Sequence, residues 1–228
     1  TQSKADLLTL QREYARKEID RTIAGYQHSL RIRPDDVQTH DQLGQALHEQ
    51  GRIDAAIRHY RQALHLQPSY AATHNHLANA LLEQGNSDQA IQHYFRVLEI
   101  KPDFLEAHYN LGGALLAQGH TKEAIAAFQQ ALQIEPEFAK AHNNLGIAFA
   151  QQGDVARALA HFERAVAIQP DYAEAHNNLG NAFFTGGELT RAAVEYERAL
   201  EIDPHYPDAR RNLKLVRQLL TNQAAPAR

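Results

Sequence analysis

The chain contains neither cysteine nor methionine. Without cysteine there are no disulfides, no thiolate metal sites and no thiol nucleophile, but the compartment stays open, because a cysteine-free chain suits either side of a membrane. Without methionine, the initiator included, the sequence reads as a processed chain or as a piece cut from something longer. A run of about 18 apolar residues is missing, and so is a basic segment followed by an apolar stretch at the start, so neither a membrane span nor a signal peptide is visible. An excess of positive charge is also missing: 23 Lys and Arg stand against 27 Asp and Glu, a formal net charge of -4. Duplex nucleic acid or anionic lipid calls for a basic field, so neither is expected as a general partner. Catalytic signatures are absent as well, with no G-x-S-x-G elbow, no G-x-x-x-x-G-K-[ST] loop and no G-x-G-x-x-G turn. No enzyme activity and no cofactor are expected of these residues.

What is present is a repeat. The 228 residues, 43% of them hydrophobic, suffice for a core in one large domain or two small ones. Pro34, Pro68, Pro102, Pro136, Pro170 and Pro204 fall 34 residues apart. With each proline at position 32, full units run 37–70, 71–104, 105–138, 139–172 and 173–206, preceded by a weaker one at 3–36. Position 7 is Leu43, Leu77, Leu111, Leu145 and Leu179, and position 8 is Gly44, Ala78, Gly112, Gly146 and Gly180. Position 20 is always Ala (Ala56 to Ala192), position 24 always Tyr or Phe (Tyr60, Tyr94, Phe128, Phe162, Tyr196), and position 27 small.

Each unit carries an amphipathic stretch with apolar residues at 4, 7 and 11, a glycine at 15, and a second such stretch. That pattern predicts two helices joined by a short turn. Glycine at 15 suits the left-handed residue that closes a helix. Small residues at 8, 20 and 27 let two backbones approach, and larger ones at 7, 11 and 24 fill the rest. Proline at 32 ends the second helix. At these defining positions the chain resembles the tetratricopeptide-repeat family, nearly intact over 37–206 and in part over 3–36. The resemblance implies an all-α, right-handed superhelical solenoid of antiparallel helix pairs, whose concave wall binds protein or peptide. The repeats are most similar to those of O-linked N-acetylglucosamine transferases and of bacterial scaffold proteins of this family.

The ends depart from the pattern. Residues 17–34 follow a second helix, with Ile19, Ile23, Tyr26 and Leu30 in place, but 3–16 put Thr9 and Leu10 where Leu-Gly belongs and Lys17 where the glycine should be. A degenerate N-terminal cap and a continuous helix that pairs with a second molecule are both compatible with this. Residues 207–220 read as a C-terminal solvating helix with Lys214 at position 8, and Leu215, Val216, Leu219 and Leu220 leave apolar surface for a missing repeat or a dimer contact. Residues 221–228 read as a tail.

Five of the fourteen histidines, His40, His74, His108, His142 and His176, form a ladder at position 4. Equivalent positions on packed helices stand roughly 8–10 Å apart, whereas zinc needs nitrogens about 2.0–2.1 Å from one ion. One histidine per unit is therefore expected to pack rather than chelate, and no histidine pair three or four residues apart exists to build a helical metal site. No metal is expected.

The resemblance places positions 2, 5, 6, 9, 12 and 13 of the first helices on the inner wall. The candidate groove residues are then Asn75, Asn143, Asn177 and Tyr109 at position 5, Asn110, Asn144, Asn178 and Asn212 at position 6, and Asn79 and Asn181 at position 9. Leu82, Leu116, Ile147 and Phe184, at positions 9 and 12, are expected to add an apolar strip. An Asn amide offers donors and an acceptor, which suits an extended peptide backbone. The same amides would also serve by bonding a carbonyl of the adjacent helix and setting the stacking angle. The ladder is similar to that of the O-linked N-acetylglucosamine transferases, but Gln42 and His76 interrupt it. A basic clamp for acidic chaperone tails is not expected, since only Lys140 and Arg211 occupy its positions. Three readings follow: a scaffold holding a peptide or partner protein, the substrate-recruiting segment of a larger enzyme such as a protein glycosyltransferase, and self-assembly into a homo-oligomer through the end helices.

Overall fold

A computed structural model describes residues 2–224. Among them are twelve helices and no strand: α1 (Gln2–Ile32), α2 (Val37–Glu49), α3 (Ile53–Leu66), α4 (Ala71–Glu83), α5 (Ser87–Ile100), α6 (Leu105–Ala117), α7 (Thr121–Ile134), α8 (Ala139–Gln151), α9 (Val155–Ile168), α10 (Ala173–Thr185), α11 (Leu189–Ile202) and α12 (Pro207–Ala224). The protein is an all-α solenoid of antiparallel helix pairs. From α2 to α11, thirteen-residue first helices alternate with fourteen-residue second helices. Three residues join the helices of a pair and four join successive pairs, which accounts for the 34-residue interval. The described residues divide into two compact units, one ending at Asn110 and one beginning at Leu111. No described helix is long and apolar enough to cross a membrane.

The turn within each pair is made by glycine. Gly51, Gly85, Gly119, Gly153 and Gly187 have φ between 74° and 86°. At the end of α2 the amide of Gly51 donates to the carbonyl of His48 (2.8 Å) and that of Arg52 to Leu47 (2.9 Å), and the same two bonds recur after α4, α6, α8 and α10. This pair of hydrogen bonds satisfies the last carbonyls of the first helix and requires a left-handed residue, which costs glycine least.

Inside a pair, the aromatic ring at position 24 lies on the glycine at position 8. A Cβ built on Gly44 would stand 2.4 Å from the Tyr60 ring, and one on Gly112, Gly146 or Gly180 would stand 2.6 Å from Phe128, Phe162 or Tyr196. These rings and the alanines at 20 and 27 are fully buried or nearly so. Ala78 shows that one methyl fits when its pair is adjusted to it. A larger group does not, so Gly146→Leu should destabilise its unit by about 1–3 kcal/mol through overpacking, read as a lower urea midpoint.

Successive pairs are tied by the position-4 histidines. Nε2 of His40, His74, His108, His142 and His176 donates to the carbonyl of Pro34, Pro68, Pro102, Pro136 and Pro170 over 2.8–3.1 Å. Arg210, at the equivalent place in α12, donates to Pro204 in the same way. The proline that ends one unit thus leaves a carbonyl that the next first helix captures.

The ends differ from the repeat pattern. Residues 2–32 form one helix that runs through Lys17 without a turn, because no glycine stands at the helix-closing position. At the other end α12 continues to Ala224, four residues past the expected limit of 220. Residues 221–224 contain no Gly or Pro, and Thr221 Oγ1 donates back to the Arg217 carbonyl at 2.9 Å. The remainder of the expected tail, 225–228, lies outside the described residues.

Candidate functional site

In the first compact unit the face of α2 and α4 is bound together by Asp41. Its buried carboxylate accepts from Thr73 Oγ1 (2.7 Å), His76 Nδ1 (3.0 Å) and Gln45 Nε2 (2.7 Å). Burial alone would push this carboxyl up, but the hydrogen bonds from His76 and Thr73 outweigh it and hold the group below its ordinary value. Asn75, next to His76 in α4, is buried. Asn79 is half-buried and its Oδ1 accepts from Tyr94 Oη (2.5 Å) and Asn110 Nδ2 (3.1 Å). Tyr109 and Leu82 are half-buried.

The second unit repeats the scheme with amides alone. Asn143 is fully buried. Its Nδ2 donates to Glu174 Oε1 (3.2 Å) and its Oδ1 accepts from Asn178 Nδ2 (3.0 Å). Asn177, also buried, accepts from Asn212 Nδ2 at 3.2 Å, and Asn212 reaches Asn181 Oδ1 at 3.0 Å as well. Position 5 is thus held within the fold in these units: Asn143 and Asn177, like Asp41, bond a side chain of the next first helix, and Asn75 is buried. At position 6, His76, Asn110, Asn178 and Asn212 each bond a side-chain oxygen of the preceding first helix. Asn144 is half-buried and engaged within the fold.

Position 9 is matched to position 24 across the pair. Where 24 is tyrosine and 9 is asparagine, the two bond: Tyr94 to Asn79 and Tyr196 to Asn181 (2.8 Å). Where 24 is Phe128 or Phe162, position 9 is Gly113 or Ile147, which ask for no hydroxyl. The first full unit breaks the rule, since Gln45 turns to Asp41 and the buried Tyr60 hydroxyl makes no hydrogen bond among the described residues. Tyr60→Phe should therefore leave stability unchanged or raise it by up to about 1 kcal/mol, whereas Tyr196→Phe should cost about 1 kcal/mol; paired denaturant titrations distinguish the two.

A cavity with a defined chemistry lies beside these pairings. It has a volume of about 310 Å³ and lies between α8 and α10, floored by α9. Ile147, Ala150, Val155 and Phe162 make its apolar wall, and Asn178 and Asn181 stand at its rim. Asn178 spends Nδ2 on Asn143, which leaves its Oδ1 as an acceptor, and Asn181 spends Oδ1 on Tyr196 and Asn212, which leaves its Nδ2 as a donor. Of the expected groove residues, this cavity brings Ile147, Asn178 and Asn181 together. Leu116 and Phe184 are half-buried in the same compact unit but do not line it, and Asn75, Asn79, Leu82, Tyr109 and Asn110 belong to the other.

The histidine ladder is not one ring per unit, as position 4 alone implies. Nδ1 of His40, His74 and His142 faces Nδ1 of His59, His93 and His161, at position 23 of the same unit, over 3.0, 2.9 and 3.0 Å. In 105–138 position 23 is Ala127, and in 173–206 it is Glu195, whose Oε2 meets His176 Nδ1 at 2.7 Å. No cluster of three or more metal-ligating side chains occurs among the described residues.

Helix pairs of constant length, closed by left-handed glycines and stapled by proline carbonyls, define a repeat solenoid, a class that works by presenting an extended surface of first helices. The chain belongs to the tetratricopeptide-repeat family: one model described as tetratricopeptide repeat matches residues 109–173 and 144–207, and a second, described as TPR repeat, matches 44–85 and 78–119. Comparison with curated proteins gives no match. Among solved structures, the chain is similar to MamA (26% identity, 71% of this chain and 95% of that one, TM-score 0.67). It is also similar to TTC0263, a thermophilic TPR protein in Thermus thermophilus (25% identity, 80% and 100%, TM-score 0.62). A third likeness is to YrrB, described as a TPR protein with an unusual peptide-binding site (20% identity, 83% and 97%, TM-score 0.69).

Proposed function

We propose that the chain is a non-catalytic scaffold that holds an extended peptide segment of a partner protein against the first-helix face of its second compact unit. One observation carries this reading: an apolar cavity of about 310 Å³ whose rim offers one unspent amide acceptor, on Asn178, and one unspent amide donor, on Asn181. A peptide group presents the complementary N–H and C=O whatever its sequence, so these two amides bind backbone. The side chain that follows enters the cavity, and the wall of Ile147, Ala150, Val155 and Phe162 selects an apolar one. Backbone bonds thus give general affinity, and the cavity gives preference for a single large apolar residue.

Peptides selected from a random library on the whole chain test this. Ile147→Glu puts a charge into the cavity wall and should weaken the selected peptides at least tenfold, about 1.4 kcal/mol, with helicity unchanged. Val194→Glu, on the exposed side of α11, should leave them bound as before. Equal affinity for both variants would place the binding surface elsewhere.

A further inference from the structure

The paired histidines have a use beyond packing. In each pair the position-4 ring donates Nε2–H to a proline carbonyl. In the neutral ring that fixes the tautomer, and Nδ1 is left as a bare lone pair facing the second ring. A ring whose far nitrogen donates to a carbonyl is the usual arrangement of a metal-bound histidine. The spacing suits an ion too. Two nitrogens about 2.0–2.1 Å from one centre stand about 2.9 Å apart at a right angle and about 3.3 Å apart in a tetrahedron. The Nδ1 atoms here stand 2.9–3.0 Å apart, with ring centroids 5.2–5.3 Å apart. A tetrahedral two-imidazole chelate also places its ring centres about 5 Å apart. Converting a pair from hydrogen bond to chelate therefore needs each ring to pivot, not the helices to move.

We propose that His40 with His59, His74 with His93, and His142 with His161 are each a two-nitrogen site for one divalent transition ion of the imidazole-preferring class, Ni²⁺, Cu²⁺ or Zn²⁺. The ion clamps the first helix of a unit to its second, and water fills the other positions at the half-exposed outer ring. In each pair the position-23 proton that bridges the two Nδ1 atoms moves to its own Nε2, so the neutral pair takes up the ion without net proton release. Arg58 acts on the first pair, Arg61 and Arg96 on the second, and Arg157 and Arg164 on the third, while Glu137 offsets them only in the third. Those cations and the count of two ligands set a modest affinity.

The probe is Ni²⁺, added to the untagged, metal-free chain in equilibrium dialysis and in thermal melts. The chain should bind three ions and melt at a higher temperature with Ni²⁺ than without. The triple variant His59→Ala, His93→Ala, His161→Ala should lose both effects. It should also fold, because Ala127 already occupies that position in one unit. A second triple variant at exposed histidines outside the pairs, His65→Ala, His120→Ala, His205→Ala, should keep both. Absence of Ni²⁺ binding by the parent chain, undiminished binding by the first variant, or loss of binding in the second would overturn the proposal.

Discussion

Phe162→Ala should lower the stability of the second compact unit by about 3–5 kcal/mol. Its ring is 2% exposed, lies on Gly146 where a side chain would clash, and floors the cavity between α8 and α10. Removing it leaves a void that the glycine cannot fill, and the void opens into the existing cavity. Partial collapse of the pair is the expected response, so the loss should fall on the amides of α8 and α9 first. Solenoid units are stabilised by their own pair and by nearest neighbours, so hydrogen exchange should show graded protection along the unit rather than one transition. Phe162→Leu, which refills most of the space, should recover more than half of the loss, and urea titration compares the two.

The second large effect belongs to Asp41. Asp41→Ala removes three hydrogen bonds at once and strands the hydroxyl of Thr73, which is fully buried, so the expected cost is about 3 kcal/mol in the first compact unit. Asp41→Asn should cost less, since Asn143 and Asn177 hold the same position in other units with an amide. The carboxyl titrates below its ordinary value of 3.8 in the folded chain. Its contribution is therefore present in full above that value and is lost as pH falls through the lower, folded one. Below about pH 4 the Asn variant should show a shallower loss of stability with falling pH than the parent chain, followed by circular dichroism.

The fold was legible because each of its requirements falls on a separate residue type at a fixed place: a glycine for the left-handed turn, a small residue under an aromatic ring, a proline at the end of the pair. The candidate site was less so. Positions 5 and 6 both read Asn in 139–172 and 173–206, yet one turns into the contact between consecutive first helices and the other stands at its edge. About a hundred degrees of helix rotation separates them, and depth of burial is decided by the neighbouring helix, which composition cannot show. The cavity was missed for the same reason: Val155 and Phe162 come from a second helix, outside the positions that the family resemblance assigns to the wall. The histidine pairs escaped because 19 residues separate the partners, and only the hairpin brings them together. A signal existed, since histidine recurs at position 23 in three of the units that have it at position 4. The unbroken α1 was readable in one residue, Lys17 at the place of a helix-closing glycine.

Amide chemical-shift mapping of the labelled chain, titrated with a library-selected peptide, tests the central claim most directly. The account predicts shifts concentrated on Ile147, Asn178, Asn181 and Thr185 around the cavity between α8 and α10. Shifts confined to the exposed sides of the second helices, around Val194 or Phe95, with those four residues silent, would contradict it.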